Sequence, residues 1–309
     1  MNPLKASLRD YLAVRRALGF RLFSEGRLLE RFVEFAERAG ATSITTELAM
    51  KWATETTDAP PNRWARRLAL VRGLARFASA SDPHTIVPPE KILPYRYRRV
   101  APYIFRDEQI RALIKAARQL PSRTGLRPHT YATLIGLYAA TGLRTAEALR
   151  MDRDDVDLVH GILRIRESKF GKSRLVPVHA STKRALHRYA EHRDRVFPSP
   201  RSPSFFLSER GTRVLFVQET FRDLLRQTGV RQAGGKRAPR IYDLRHRFAI
   251  TTLVRWHRSG ADVNHHLPEL STYLGHTCVA NTYWYLTATP ELLRYALRRA
   301  ERCTPGVRL

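Results

Sequence analysis

The chain is poor in cysteine: Cys278 and Cys303 are its only two thiols in 309 residues. They share no paired spacing, which excludes a disulfide framework and a cysteine-rich zinc module. No apolar run approaches the roughly 18 residues that a membrane helix needs. The opening MNPLKASLRD carries no apolar signal core, so secretion is not expected. Low-complexity tracts and repeats at a solenoid period are lacking too. Negative charge is scarce. Only 28 acidic residues stand against 55 lysines and arginines, a net charge of +27. Such an excess repels itself unless a polyanion shares the surface, and nucleic acid is the default polyanion. A membrane surface fits less well, because no basic helix with a wide apolar face is evident. The 43% of hydrophobic residues is enough to bury a core and excludes a disordered tail.

The charge is unevenly placed. Residues 1–90 carry a net +4 and residues 91–309 a net +23. Between the two halves lies a run with Pro83, Pro88, Pro89, Pro94 and Pro102. Proline fixes φ and biases the residue before it away from helix. The segment 81–103, with Arg96, Arg98 and Arg99 among its tyrosines, therefore reads as an extended basic linker. It could follow a DNA backbone or be an ordinary solvated connector. Before it, three- and four-residue apolar steps predict helices near 8–18, 25–39, 46–53 and 64–80. The last carries Arg63, Arg66, Arg67, Arg72 and Arg76, which suit either a DNA groove or a solvated face. After the linker, helices are expected over 106–117, 130–140, 181–195, 216–228, 242–258, 267–274 and 290–300. Residues 156–178 switch to strand period and predict a small antiparallel sheet.

Four short segments carry the chemistry. In the first, a buried helix stops at Gly142, and Arg144 and Glu147 follow at the turn into the next helix; alone, such an arginine is usually a surface cation. The second puts Lys169 at a predicted hairpin tip with Gly171 and Lys172 after it. A tip lysine is ordinarily a solubilising residue, but one swung into a cleft could donate a proton. In the third, Tyr242 and Arg245 are three apart and share a helix face. The fourth has Gly275 as a helix stop, His276 next, and Tyr285 nine positions on.

Taken in order, TGLR-x-x-E, K-x-G-K-x-R-x-V-P, D-L-R-H-x-F-A and L-G-H-x8-Y resemble the tyrosine recombinase (phage integrase) family over about 104–290. The resemblance implies a mainly α fold with a small antiparallel sheet, built as a two-domain DNA clamp. It implies a helical core-binding domain over 1–80, the linker over 81–103 and a catalytic domain over 104–309. It also implies a site-specific recombinase of the transposon-encoded or Xer-like kind, which cuts and rejoins strands through a 3′-phosphotyrosine. Tyr285 matches the nucleophile. Arg144 and Arg245 match the two arginines that hold the phosphate oxygens. Lys169 matches the general acid, His276 a hydrogen-bond donor to phosphate, and Glu147 an orienting acid. No metal or other cofactor is implied. The partners would be double-stranded DNA and three further copies in a synaptic tetramer, alone or with companion recombinases. The setting would be the cytoplasm, on the bacterial nucleoid.

One position departs. The family usually has histidine three residues before the second arginine, and here it is Tyr242. A phenol with an ordinary pKa of about 10 is a poor base, though it can donate a hydrogen bond. His246 sits one position past Arg245, about 100° round the helix, and is not expected to substitute. Tyr283 is the rival nucleophile by residue type. Residues 232–237, with Lys236 and Arg237, read as a flexible DNA-contacting loop. His265, His266, His276 and Cys278 match no usual zinc spacing. The amphipathic segment 290–299 would dock on a neighbouring subunit, as in similar recombinases, or else on its own domain. Three other readings stay open: a type IB topoisomerase-like relaxing enzyme, a non-catalytic DNA-binding relative, and a nucleoid-type structural binder.

Overall fold

A computed structural model describes residues 2–56, 59–94, 101–167, 171–230 and 238–303. The chain forms two units, 1–100 and 101–309. The first holds four helices: α1 (Pro3–Ala17), α2 (Phe23–Arg38), α3 (Thr46–Thr54) and α4 (Pro61–Ala78). Local chemistry starts them where the sequence directs. The Asn2 side chain accepts from the Leu4 N–H at 2.9 Å and Pro3 fills the first helical position. Thr45 caps α3 through the Leu48 N–H at 3.1 Å. The apolar stripes meet in a core around Phe32, Trp52, Leu68 and Leu74.

The linker reading needs correction over its first part. Ile86 donates its N–H to the Ile44 carbonyl at 2.7 Å. The Thr85 hydroxyl accepts from the Ile44 N–H at 3.1 Å. Arg72 donates to the carbonyls of Pro88 and Pro89 at 2.7 and 2.6 Å. Val87 and Leu93 lie against the core. Prolines make this stretch a good acceptor rail: their carbonyls are free of helix bonding, and an arginine fork takes two at once.

The second unit is also mostly helical. It runs α5 (Asp107–Ala117), α6 (Leu126–Thr141) and α7 (Thr145–Arg150), then strands β1 (Val156–Asp157), β2 (Ile162–Ile165) and β3 (Arg174–Pro177). There follow α8 (Ala180–Val196), α9 (Gln218–Gln227), α10 (Asp243–Arg258), α11 (Val263–Leu274), α12 (Ala280–Tyr283), a 3₁₀ turn over Trp284–Thr287, and α13 (Pro290–Cys303). The sheet is antiparallel in the order β1-β2-β3, with Ile162 opposite Pro177 and Ile165 opposite Arg174. A mainly α fold with a small antiparallel sheet is what the sequence led us to expect. Helix starts were less legible. α6 and α11 begin earlier than the apolar period suggests. Pro128 sits in the first turn of α6, and Asp262 caps α11 through the Asn264 N–H at 3.0 Å. No described helix is long and apolar enough to cross a membrane.

Two apolar clusters build this unit. One gathers α5, α6, α8, α9 and the sheet around Tyr138, Tyr189, Phe205 and Phe206. The other gathers Leu253 of α10, Leu267 and Leu270 of α11, Tyr285 and Leu292. α13, read from the sequence as docking on a neighbouring subunit or on its own domain, packs on its own domain. Leu292 is buried, the Tyr295 ring stacks on His257 at 4.7 Å, and Arg258 pairs with Glu291 at 2.8 Å. Burying one apolar stripe in cis is the direct outlet for an amphipathic helix.

Replacing Thr85 by valine tests the seating of residues 82–93. It leaves the buried Ile44 N–H without its acceptor, which costs about 1–3 kcal/mol. Urea unfolding should shift down accordingly, and a protease should cut within 82–93 more readily. Unchanged stability and cutting would show that the contact does not hold the segment.

Candidate active site

The site lies where the two clusters of the second unit meet. Helices α6 and α11 both end there, each on a glycine in the left-handed region: Gly142 at φ 62° and Gly275 at φ 69°. Neither position has room for a side chain. A Cβ on Gly142 would come within 2.7 Å of the Phe248 ring, and one on Gly275 within 2.6 Å of the Arg174 guanidinium. Glycine thus lets the chain turn sharply and brings backbone carbonyls of two helix ends close together.

Those carbonyls hold the arginines. Arg245, on the first turn of α10 and 1% exposed, donates from Nη1 to the Gly142 carbonyl at 2.8 Å and from Nη2 to the Leu274 carbonyl at 2.7 Å. Among the described residues nothing accepts from its buried Nε. Helix C-termini carry partial negative charge, so two of them facing one guanidinium make a favourable seat. Burial lowers this group's pKa from its ordinary value, and the Tyr242 and Tyr285 hydroxyls oppose that. Arg144 donates from Nη2 to the Gly275 carbonyl at 2.7 Å and from Nη1 to Glu147 at 2.7 Å.

Glu147 is buried and ties the cations together. It accepts from the Arg144 backbone N–H at 2.9 Å and from both terminal nitrogens of Arg174, at 3.0 and 2.9 Å. Burial works against its ionisation most strongly, but the hydrogen bonds and charges of Arg174 and Arg144 together outweigh it and hold the carboxyl below its usual range. Arg174 also donates from Nε to the Tyr273 carbonyl at 2.8 Å. Sequence reasoning quoted Arg174 in its motif without giving it a role. Its alternation with the buried Val176 on β3 was the available signal.

Tyr285, on the 3₁₀ turn, is 2% exposed. Its hydroxyl lies 3.1 Å from His246 Nδ1. Burial pushes the hydroxyl up to about 12, against the nearby Arg245 guanidinium, which pulls it down. His276 stacks beside the Tyr285 ring, with centroids 6.3 Å apart, and shares a 2.8 Å hydrogen bond with the buried Thr282 hydroxyl. Nothing in the sequence marked Thr282. Tyr283, the rival by type, points outward and is 53% exposed.

Position 246 overturns the sequence argument. The 100° step was counted from Arg245, but the relevant neighbour is Tyr242, four residues back and thus on the same face. The Tyr242 and His246 rings meet edge to face at 4.9 Å, and Tyr242 itself is 38% exposed. Other expected residues fall elsewhere. Arg63 and Arg66 lie exposed on α4, where Arg66 pairs with Glu25 at 3.1 Å. Arg67 lies over the Trp52 ring at 4.0 Å and Arg72 binds the proline carbonyls, so both serve the first unit's packing. Lys172 is exposed. Lys169, Arg96, Arg98, Arg99, Lys236 and Arg237 lie outside the described residues.

The site is therefore a tyrosine hydroxyl enclosed by arginines and histidines, on a helical domain with a small sheet. The chain matches the Phage integrase family over residues 104–291. It is 44% identical over 308 residues, 98% of each chain, to an integrase/recombinase of Sinorhizobium fredii. It is 29% identical to the tyrosine recombinase XerC of Roseiflexus, over 72% of this chain and 66% of that one. Its fold is similar to that of the Tn1549 transposon integrase solved with transposon right end DNA: TM-score 0.64, 15% identity, 96% of this chain and 98% of that one. The chain belongs to the phage integrase family of tyrosine recombinases.

One pH effect follows. Burial, then the charges of Arg245, Arg144 and Arg174, pulls His276 from 6.5 down to about 4. The unfolded chain then binds more protons than the folded one between these values. Stability is fully present above about 6.5 and is lost as pH falls through about 4. Melting temperatures across this window should fall with pH, and His276→Gln should flatten the slope. An equal slope in the variant would refute the assignment.

Proposed function

We propose that the chain is a site-specific DNA recombinase that cuts and rejoins strands through a 3′-phosphotyrosine on Tyr285. The observation that carries this reading is the buried Tyr285 hydroxyl beside the Arg245 guanidinium, whose Nε has no acceptor among the described residues. A scissile phosphate supplies the missing acceptor. Its non-bridging oxygens would take the remaining donors of Arg245 and Arg144, and His276 would donate a further hydrogen bond. Guanidiniums suit this task because they stay charged and bind oxygens in pairs. Charge grows on those oxygens in the five-coordinate transition state, and one well-placed donor of this kind is worth roughly 3–4 kcal/mol. Glu147, itself bound by Arg174, holds Arg144 in place, and the Gly142 and Leu274 carbonyls hold Arg245. Lys169 is the proposed acid for the leaving 5′-oxygen. The covalent intermediate keeps the phosphodiester energy, so rejoining needs no nucleotide.

In this reading both units bind duplex DNA, which accounts for the net +27. Four copies work on two sites, and the reaction moves or inserts a mobile element. The 44% identity to an integrase/recombinase supports that setting.

The test is covalent trapping. Purified chain and its Tyr285→Phe variant are mixed with nicked duplexes from the ends of the element that encodes it. A denaturation-resistant protein–DNA band should form with the parent alone, while binding stays within about threefold, a loss under 1 kcal/mol. A band from both proteins would move the nucleophile elsewhere. Tight binding without any band would favour a non-catalytic relative.

A further inference from the structure

We infer that in this chain His246, one helical turn beyond the position where the family keeps its histidine, takes the proton from Tyr285 when the strand is cut. This rests on the reading of Tyr285 as nucleophile. The first support is geometry. His246 Nδ1 and the Tyr285 hydroxyl lie 3.1 Å apart, within the reach of direct proton transfer. The ring is held from several sides. Tyr242 meets it at 4.9 Å, Trp284 at 5.2 Å and Tyr285 at 5.5 Å. A base fixed in this way loses little entropy when it acts.

The competing groups are less suited. Tyr242 offers a phenol, half-exposed, in place of an imidazole. His276 has its Nδ1 bonded to Thr282 and lies face to face with the tyrosine ring. Its pKa near 4 makes it a weak proton acceptor at neutral pH. Arg245 has the opposite task, because its positive charge favours the phenolate. The substitution at 242 and the contact at 246 fit together: a residue three before Arg245 and a residue one after it share a helix face, so the base can move by one turn without leaving the site.

The step balances. The proton passes from Tyr285 Oη to His246 Nδ1. The oxygen lone pair forms the bond to phosphorus, the bond from phosphorus to the 5′-oxygen breaks, and that oxygen leaves with the electron pair and is protonated by the site's acid. On rejoining, the 5′-hydroxyl gives its proton back to the site's deprotonated acid and attacks phosphorus, the bond from phosphorus to Tyr285 Oη breaks, and the imidazolium returns its proton to that oxygen. Among the described residues, the charged or titratable groups around His246 include Tyr242 and Arg245 on its own helix, Tyr285 on the 3₁₀ turn and His276 after α11.

The experiment uses the full chain with nicked duplexes carrying either an ordinary scissile phosphate or one with sulfur at the 5′-bridging position. A thiolate leaves without protonation, so the sulfur substrate is blind to loss of the acid and remains sensitive to loss of the base. His246→Gln should slow covalent-band formation by roughly 10²–10⁴-fold on both substrates, the usual worth of a general base. Duplex affinity should hold, and the rate should recover as pH rises toward tyrosine ionisation. Tyr242→Phe should lose at least about tenfold less. Three results would overturn the inference: parental rates with His246→Gln, rescue of that variant by sulfur, or an equal loss from Tyr242→Phe. A parent that forms no band would count against the phosphotyrosine reading instead. The contact is then judged apart from turnover, by the ¹⁵N resonance of His246 Nδ1. It should move when Tyr285 becomes phenylalanine, and a fixed resonance would overturn the inference. The same spectrum serves if His246→Gln fails to fold.

Discussion

One guanidinium joins the ends of two helices. Arg245 donates to the Gly142 carbonyl that closes α6 and to the Leu274 carbonyl that closes α11. The loops leaving those helices carry Arg144 and His276. Both positions are therefore set by how the arginine spans the carbonyls. Breaking such a buried, charge-assisted pair of bonds leaves two carbonyls unpaired as well as removing a cation, so fold and site are damaged together. The glycines are part of the same constraint, since any side chain at 142 or 275 would displace Phe248 or Arg174.

Electrostatics complete the arrangement. Among the described residues, Arg144 and Arg174 meet on the carboxylate of Glu147, and Arg245 meets backbone carbonyls. The cluster is thus left short of negative charge, and a phosphodiester is an anion of the right size and geometry to complete it. His276 is neutral at pH 7 because burial first, and the same excess of positive charge second, lower its pKa. A neutral imidazole can offer one N–H to an oxygen without adding charge. The high pKa of Tyr285 keeps its hydroxyl protonated at neutral pH, so in the proposed reaction a base must take that proton before the oxygen can attack.

Much of this was legible in the sequence because it is local. Gly142, Arg144 and Glu147 follow one another through a helix stop and a helix start. Gly275 and His276 do the same at the end of α11. Helical periodicity located most of the helices, and the switch to period two located the sheet. What escaped were pairings between distant segments. Arg174 reaches Glu147 from 27 residues away, His246 reaches Tyr285 across 39, and Thr85 reaches Ile44 across 41. The face argument at His246 failed for a narrower reason, since the angle was measured from Arg245 and not from Tyr242. The prolines after α4 read as a linker because their rigidity is visible in sequence, while the Arg72 fork that binds their carbonyls is not.

The most direct measurement pairs stability with cutting in one variant, Arg245→Lys. Lysine keeps the charge but cannot span two carbonyls and a phosphate with a planar fork. If the guanidinium anchors both fold and site, the melting temperature should drop and single-turnover cleavage should fall by roughly 10²–10³-fold, the loss seen when one oxyanion donor is removed. Cleavage near the parental rate, or an unchanged melting temperature beside lost cleavage, would contradict the view that one arginine holds both.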